Sequence, residues 1–407
     1  MPWHFNNLTT LTGGLIRAFP NLSALINPND PGIPGPTRHV FFQGRDASGP
    51  TIGDHRIHEF WWDGNWHYND LTIAADNAPR AADLASSYMF KGTGTKHVIY
   101  QGFDDVPTGS NGRINELWWD GDWHHNDLTS AADNAPLTRG SPFGYEYSFF
   151  DTIHQRNIIS QRVVYLTLDH KLHLLQWSAN DGRHSVPLPD VPGGPSPPTA
   201  YVFSVQGQII QGQASQRVLF LLPTMVPDIQ HVHELTWNEE GPHLRSWVLN
   251  DLTALTGAPP LGLAGFGSVG LMHDLEFTLH VFYGREEGAD LYELYWNESG
   301  WHFNDLTAIM GRTIVGNGPP LAYVHLQQGT LNVNFIGTDG HIHALWREVG
   351  MPWNSVNQEN LTLPIGAPPA LTQPVGFVFP DLTQHMFYIA QSSPISQASD
   401  IIELTDE

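Results

Sequence analysis

Short runs in which apolar and polar residues alternate recur along the whole chain, and clusters of Gly, Pro, Asn and Asp separate them. A period of two bounded by turn formers predicts short β-strands. One set of four such runs reads Ser87 to Phe90, His97 to Gln101, Arg113 to Trp119 and Trp123 to Leu128. Its turns fall at Gly92-Thr93-Gly94, Asp104 to Gly112 and Asp120-Gly121. In the third run an apolar residue lies two positions before a Glu, and Leu or Phe follows the Glu directly; Ile114, Glu116 and Leu117 are one instance. The same apolar position recurs at Ile57, Leu172, Val232, Leu291, Ile342 and Ile401. Alternation sends the two apolar residues to opposite faces, so both faces of each strand are expected to be buried.

The runs belong to a repeat. Glu59-Phe60-Trp61-Trp62-Asp63-Gly64 and the following Trp66 to Thr72 reappear 57 residues later as Glu116-Leu117-Trp118-Trp119-Asp120-Gly121 and Trp123 to Thr129. Weaker copies start at Glu234 and Glu293, degenerate ones centre on Leu174 and Ala344, and the last is Glu403-Leu404-Thr405. The spacings are 57, 58, 60, 59, 51 and 59 residues. Seven units of four strands predict an all-β fold, a seven-bladed β-propeller of four-stranded antiparallel blades, with 1–407 as a single domain. The seventh copy lacks the Trp-His-x-Asn-Asp-Leu-Thr segment, which stands at the other terminus as Trp3 to Thr9. Trp3 to Thr9 is therefore expected to be the outermost strand of the last blade, closing the ring. Asn-Asp-Leu-Thr, where it ends a fourth strand, reads as an exit turn whose Asp bonds nearby backbone N–H groups, with no further role.

Composition narrows the partners. Eighteen basic against 41 acidic residues leave a formal charge of −23, which repels phosphate backbones and argues against nucleic acid. The absence of Cys excludes disulfides, thiolate metal sites and cysteine nucleophiles. No apolar run reaches the roughly 20 residues of a membrane-spanning helix, and Met1 to Phe5 shows no classical secretory signal, so a soluble chain without membrane insertion is expected, its compartment open.

One constellation exceeds packing. Each second strand carries a polar residue ahead of its apolar run, at His39, His97, Arg162, Arg217, His280, Asn332 and His385. Each third strand carries Glu59, Glu116, Glu234, Glu293 or Glu403, replaced by Leu174 and Ala344 in two copies. Two residues on stand Trp61, Trp118, Gln176, Thr236, Tyr295, Trp346 and Thr405. A three-residue Thr338-Asp339-Gly340 loop with a left-handed glycine sets Asn332 opposite Trp346, and the same register elsewhere unites base, carboxylate and aromatic. Such a trio either pairs charge between blades or binds sugar, with polar groups bracketing hydroxyls and an aromatic covering C–H surface. Several such clefts would add avidity. The candidate sugar-binding residues are His39, Glu59 and Trp61; His97, Glu116 and Trp118; Arg217 and Glu234; and His280, Glu293 and Tyr295.

These residues resemble the fungal and bacterial fucose-specific lectin propellers. In that family an Arg and a Glu on adjacent strands bind sugar hydroxyls and a neighbouring aromatic completes the pocket. Arg217 with Glu234 matches the polar pair, Glu59, Glu116, Glu293 and Glu403 match the carboxylate, and His39, His97, His280 and His385 stand where the family has Arg. The family's lectins commonly have six blades. The resemblance implies a non-catalytic lectin without a cofactor whose partners are glycans, fucosylated ones among them. The alternative is a protein-binding scaffold using loops such as Asp104 to Gly112 and Leu222 to Gln230. His231-Val232-His233 and His341-Ile342-His343 place paired imidazoles on a strand face, but without an evident third ligand no metal site is assigned. No Gly-x-Ser-x-Gly or isolated acidic pair marks an active site, so the protein is not expected to be an enzyme.

Overall fold

The computed structural model describes residues 3–13, 17–30, 33–45, 54–103, 110–151, 156–169, 171–178, 182–189, 201–210, 213–223, 229–240, 244–262, 270–273, 278–285, 290–311, 320–325, 327–353, 358–379, 383–393 and 396–406. Most of each scaffold loop, 104–109 and 224–228, lies outside the described residues. Seven antiparallel sheets make a seven-bladed β-propeller; in six of them the four main strands lie in chain order, and the last is completed by the N-terminal strand. Blade 1 is Arg17–Asn27, Thr37–Arg45, Ile57–Trp62 and Trp66–Asp70, and blade 2 is Arg80–Phe90, Thr95–Phe103, Ser110–Trp119 and Trp123–Asp127. Blade 3 is Phe143–Asp151, Arg156–Leu166, Leu172–Ser178 and Gly182–Pro187, and blade 4 is Tyr201–Ile210, Gln213–Pro223, Ile229–Glu240 and Leu244–Asp251. Blade 5 is Gly270–His273, Leu279–Arg285, Asp290–Asn297 and Gly300–Asp305, and blade 6 follows with Leu321–His325, Thr330–Ile336, Ile342–Glu348 and Gln358–Asn360. In blade 4 a short extra strand, Leu261–Gly262, pairs with Ile229 and Gln230. By internal contacts the chain forms two compact units. One comprises Asn21–Leu222 and Glu234–Asn250; the other comprises Met1–Pro20, Pro223–His233 and Asp251–Glu407.

Blade 7 takes its outer strand from the N-terminus: Trp3–Asn7 pairs with Ser396–Asp406, Asn6 opposite Glu403. The strand is shorter than the expected Trp3 to Thr9, because Leu8–Leu11 is a single helical turn. The same turn follows four other fourth strands, as Leu71–Ala74, Leu128–Ala131, Leu252–Thr256 and Leu306–Met310. The Asn-Asp-Leu-Thr segment is thus a capped helix start. Asp70, Asp127, Asp251 and Asp305 each accept a backbone N–H three residues on, the geometry of an N-cap. The Leu is buried, and the Thr hydroxyl accepts the third-strand N–H, as Thr72 does from Ile57 at 2.9 Å.

Blades pack front to back. In the first unit Phe41 and Ile57 of blade 1 meet Val98, Tyr100 and Leu117 of blade 2, while Ile99 and Ile114 of blade 2 meet Val163, Tyr165 and Leu175 of blade 3. In the second, Phe282 and Leu291 of blade 5 meet Leu331, Val333, Phe335 and Leu345 of blade 6. Both faces of the inner strands are therefore core, and polar side chains on those faces must find partners.

Candidate functional site

The expected register holds. Asn332 pairs with Trp346 across the loop that ends in Gly340, whose φ is 76°. His39 faces Trp61, His97 faces Trp118 and His280 faces Tyr295. The carboxylate of each complete copy lies on the same face, about 1% exposed. An ionised carboxylate only accepts, so the ring Nδ1–H donates: His39 to Glu59 Oε1 at 2.7 Å, His97 to Glu116 at 2.7 Å, His280 to Glu293 at 2.8 Å and His385 to Glu403 at 3.0 Å. Arg217 Nη1 donates to Glu234 at 2.5 Å.

The second carboxylate oxygen has a partner that the sequence reading gave no role. It is the Asn of Asn-Asp-Leu-Thr: Asn69 donates to Glu59 at 3.0 Å, Asn126 to Glu116 at 2.8 Å, Asn250 to Glu234 at 3.1 Å, Asn304 to Glu293 at 2.6 Å and Asn6 to Glu403 at 3.0 Å. Its recurrence opposite the Glu in the repeat was the available signal. Thr37, Thr95 and Thr383, two residues before their His, sit 2.6 to 2.7 Å from the other ring nitrogen. In these blades both imidazole nitrogens are thus engaged within the blade.

Burial pushes the carboxyls of Glu59, Glu116 and Glu293 up, but partners outweigh it and hold all three below the usual range. For Glu59 the main opposing partners are the Lys96 charge and the His39 hydrogen bond; for Glu116 and Glu293 they are the hydrogen bonds and charges of His97 and His280.

What separates the clefts is the residue that the next blade presents. The position just before the polar residue of the second strand faces back onto the preceding blade. Blade 2 puts Lys96 there, with Nζ 4.0 Å from Glu59 Oε1 and 3.3 Å from Asp30 Oδ2, stacked 3.9 Å over the Trp119 ring. Blade 3 puts Gln161 there, hydrogen-bonded to Glu116, with Arg183 3.9 Å from the same carboxylate. The space left beside Gln161, Gln176, Trp177 and Arg183 is about 20 Å³, room for one water. Trp61 and Trp118 stack on His67 and His124 at 4.2 and 4.3 Å, and neither indole N–H has a partner among the described residues.

Blade 6 presents Leu331 instead, and in front of blade 5 a cavity of about 420 Å³ opens. His280, Glu293, Tyr295 and Asn304 line it from blade 5, and Arg347, Met351 and Trp353 from blade 6. Trp353 Nε1 donates to Glu293 Oε2 at 2.9 Å. Tyr295 lies at 23° to the His280 ring and at 27° to the His302 ring, 6.4 and 5.0 Å away. Arg347 is 8% exposed, and its Nη1 donates to the Met351 carbonyl at 2.9 Å. Its Nε has no partner among the described residues. Arg347 and Trp353 escaped the sequence reading because blade 6 had lost its own Glu to Ala344. The signal was the strand register, which pairs Arg347 with Leu331.

Blades 3 and 6 make no charged trio of their own: Arg162 stacks 3.8 Å over Tyr147, and Asn332 bonds Thr330 at 3.0 Å. No helix of the described residues is long and apolar enough to cross a membrane.

No protein-family model matches the chain, and no curated protein matches it. Among solved structures it is similar to an arginine-to-alanine triple mutant of AofleA from Arthrobotrys oligospora, at 16% identity and a TM-score of 0.50, covering 89% of this chain and 91% of that one. It is also similar to the fucose-specific lectin from Aleuria aurantia, at 12% identity and a TM-score of 0.46 over 83% of this chain and 96% of that one. The polysaccharide lyase Uly1 matches at 9% identity and 0.49 over 90% and 88%. Likeness at these identities is likeness of fold alone. In fold, the chain is a β-propeller similar to that of AofleA.

Proposed function

We propose that the protein binds carbohydrate without catalysis, and that its principal sugar site is the cavity between blades 5 and 6. The observation that carries this reading is the pairing of a buried guanidinium with a carboxylate, an imidazole and two aromatic rings around about 420 Å³. That volume lies within the range of small-molecule sites and admits a monosaccharide. Arg347 supplies fixed donors to sugar hydroxyl oxygens, while Tyr295 and Trp353 offer rings to apolar C–H faces. Glu293 is the one carboxylate among the described lining residues and already accepts three hydrogen bonds. Glycoside hydrolysis ordinarily uses two carboxylates, so the site suits recognition. The likeness to a fucose-specific lectin makes fucose the first sugar to try. The clefts of blades 1 and 2, filled by Lys96 and Gln161, are read as structural, with the His–Glu–Asn networks holding strand to strand.

Titration calorimetry against fucose and a panel of other monosaccharides tests the proposal. About one site per chain is expected, and Arg347→Ala should weaken binding by tenfold or more, the loss of about 1.5–3 kcal/mol for a charged hydrogen bond. A null across the panel, or unchanged affinity in Arg347→Ala and Tyr295→Ala, would reject the site.

A further inference from the structure

Blade 4 carries a second cluster, unrelated to the sugar cavity. In blades 1 and 2 the residue three before the Glu is Arg, and it bridges the Asp that caps the following helix: Arg56 to Asp70 at 3.0 Å and Arg113 to Asp127 at 2.5 Å. Blade 4 has His231 at that position and His233 two residues on, so the fold sets two imidazoles beside Asp251. His231 Nδ1 lies 2.7 Å and His233 Nε2 4.0 Å from Asp251 Oδ2, and a ligand atom from each residue lies within 4.8 Å of the others. Asp251 Oδ1 is occupied by the Ala254 N–H at 2.9 Å, which leaves Oδ2 to the imidazoles.

We propose that His231, His233 and Asp251 form a divalent transition-metal site of zinc type. The donor set is two imidazoles and a carboxylate, which suits zinc better than calcium or magnesium. Tetrahedral zinc with bonds of about 2.0–2.2 Å holds neighbouring donors about 3.3 Å apart. The spacings of 2.7 and 4.0 Å bracket that value, so small side-chain adjustments seat the ion. The three side chains are 23%, 14% and 33% exposed, which gives an ion access and leaves a coordination position for water. The sequence alone offered His231 and His233 without a third ligand; Asp251, at the end of the next strand, supplies it.

Two other blades show why the combination matters. In blade 1 His58 is diverted to Asp54 at 3.0 Å and Arg56 takes the capping Asp. In blade 6 the capping position holds Asn360 rather than a carboxylate: His341 bonds Thr362, and His343 bonds Asp339 at 3.1 Å and lies 3.4 Å from the Asn360 amide nitrogen. Blade 4 alone among these brings both imidazoles to the capping carboxylate.

The test is zinc binding by the metal-stripped full chain, measured by competition with a chromophoric chelator. One equivalent is expected. His231→Arg rebuilds the Arg–Asp bridge of blades 1 and 2, so it should keep the thermal stability of the chain while weakening zinc by more than about tenfold. Asp251→Asn should do the same, since Asn caps helices as well as Asp does, and Asn7 already caps the turn at Leu8–Leu11. Equal zinc uptake by wild type and His231→Arg, or no uptake by wild type, overturns the proposal.

Discussion

Asn6→Ala probes whether the N-terminal strand is locked into the seventh sheet by the same network that holds the other blades. Asn6 Nδ2 donates at 3.0 Å to Oε2 of Glu403, a residue 1% exposed whose other oxygen takes His385 Nδ1. A hydrogen bond to a charged group contributes about 1.5–3 kcal/mol, and its removal strips a buried carboxylate oxygen of a donor. Against the 5–15 kcal/mol of an ordinary folded domain, roughly, that loss is large. Asn126→Ala removes the equivalent bond to Glu116, 2.8 Å long, from a strand in the interior of the sequence, and should cost the same. His4→Ala, on an exposed position of the N-terminal strand, should stay within about 0.5 kcal/mol. Urea unfolding followed by tryptophan fluorescence reads all three, with midpoints shifted at unchanged slope. If Asn126→Ala destabilised the chain while Asn6→Ala behaved like His4→Ala, the terminal strand would not be held as described. If neither changed stability, the carboxylate networks would contribute nothing to the fold.

Two further outcomes follow from the same geometry. The carboxyls of Glu59, Glu116 and Glu293 titrate below their usual range when folded, so the stability they contribute is present above the unfolded value, about 4.3, and lost as pH falls below it. The urea midpoint should therefore drop on acidification, and less steeply in Glu116→Gln; parallel curves would contradict the assigned networks. Tyr100 donates its hydroxyl to the Pro79 carbonyl at 2.9 Å, as Tyr283 does to Pro259 and Tyr388 to Pro368 at 2.9 and 2.8 Å. Tyr100→Phe should cost about 0.5–1.5 kcal/mol by the same urea assay, and a neutral result would show the bond to be idle.

The architecture was legible because it is periodic: alternation marked the inner strands, and the motif divided between the termini marked the Trp3–Asn7 pairing. Local irregularity hid the rest. The first strand of blade 2 starts at Arg80 rather than Ser87, since register shifts between Ala81 and Asp83 and between Leu84 and Ser86 break the period of two. The turn after five of the fourth strands reads as a loop in the sequence because it is only four or five residues long, and its helical character rests on the Asp or Asn cap. The candidate residues of blade 5 were readable as a set, but Arg347 and Trp353 belong to a copy of the motif whose own Glu is missing. Asp251 was likewise read as a cap, and nothing in the spacing of His231 and His233 points to it.

A cleft between blades has two authors, and the sequence motif describes one of them. Blades 1, 2 and 5 present nearly the same His–Glu–Asn network, so that network cannot determine which cleft is open. The neighbour does. Lys96 and Gln161 reach the preceding carboxylate with a polar head, and the burial that follows is compensated by the charge or hydrogen bond they bring. Leu331 at the equivalent position packs into the apolar cluster below and leaves the polar rim of blade 5 uncovered. Blade 6 also shows that losing the carboxylate need not unseat a blade: Ala344 packs with Leu361, Met386 and Leu404, an apolar substitute for the charged network. Its Arg347, paired with Leu331 and on the opposite strand face from Ala344, lines the cavity that faces the preceding blade. Substitution at one second-strand position can therefore open or fill a single cleft while the network that holds the blade stays in place.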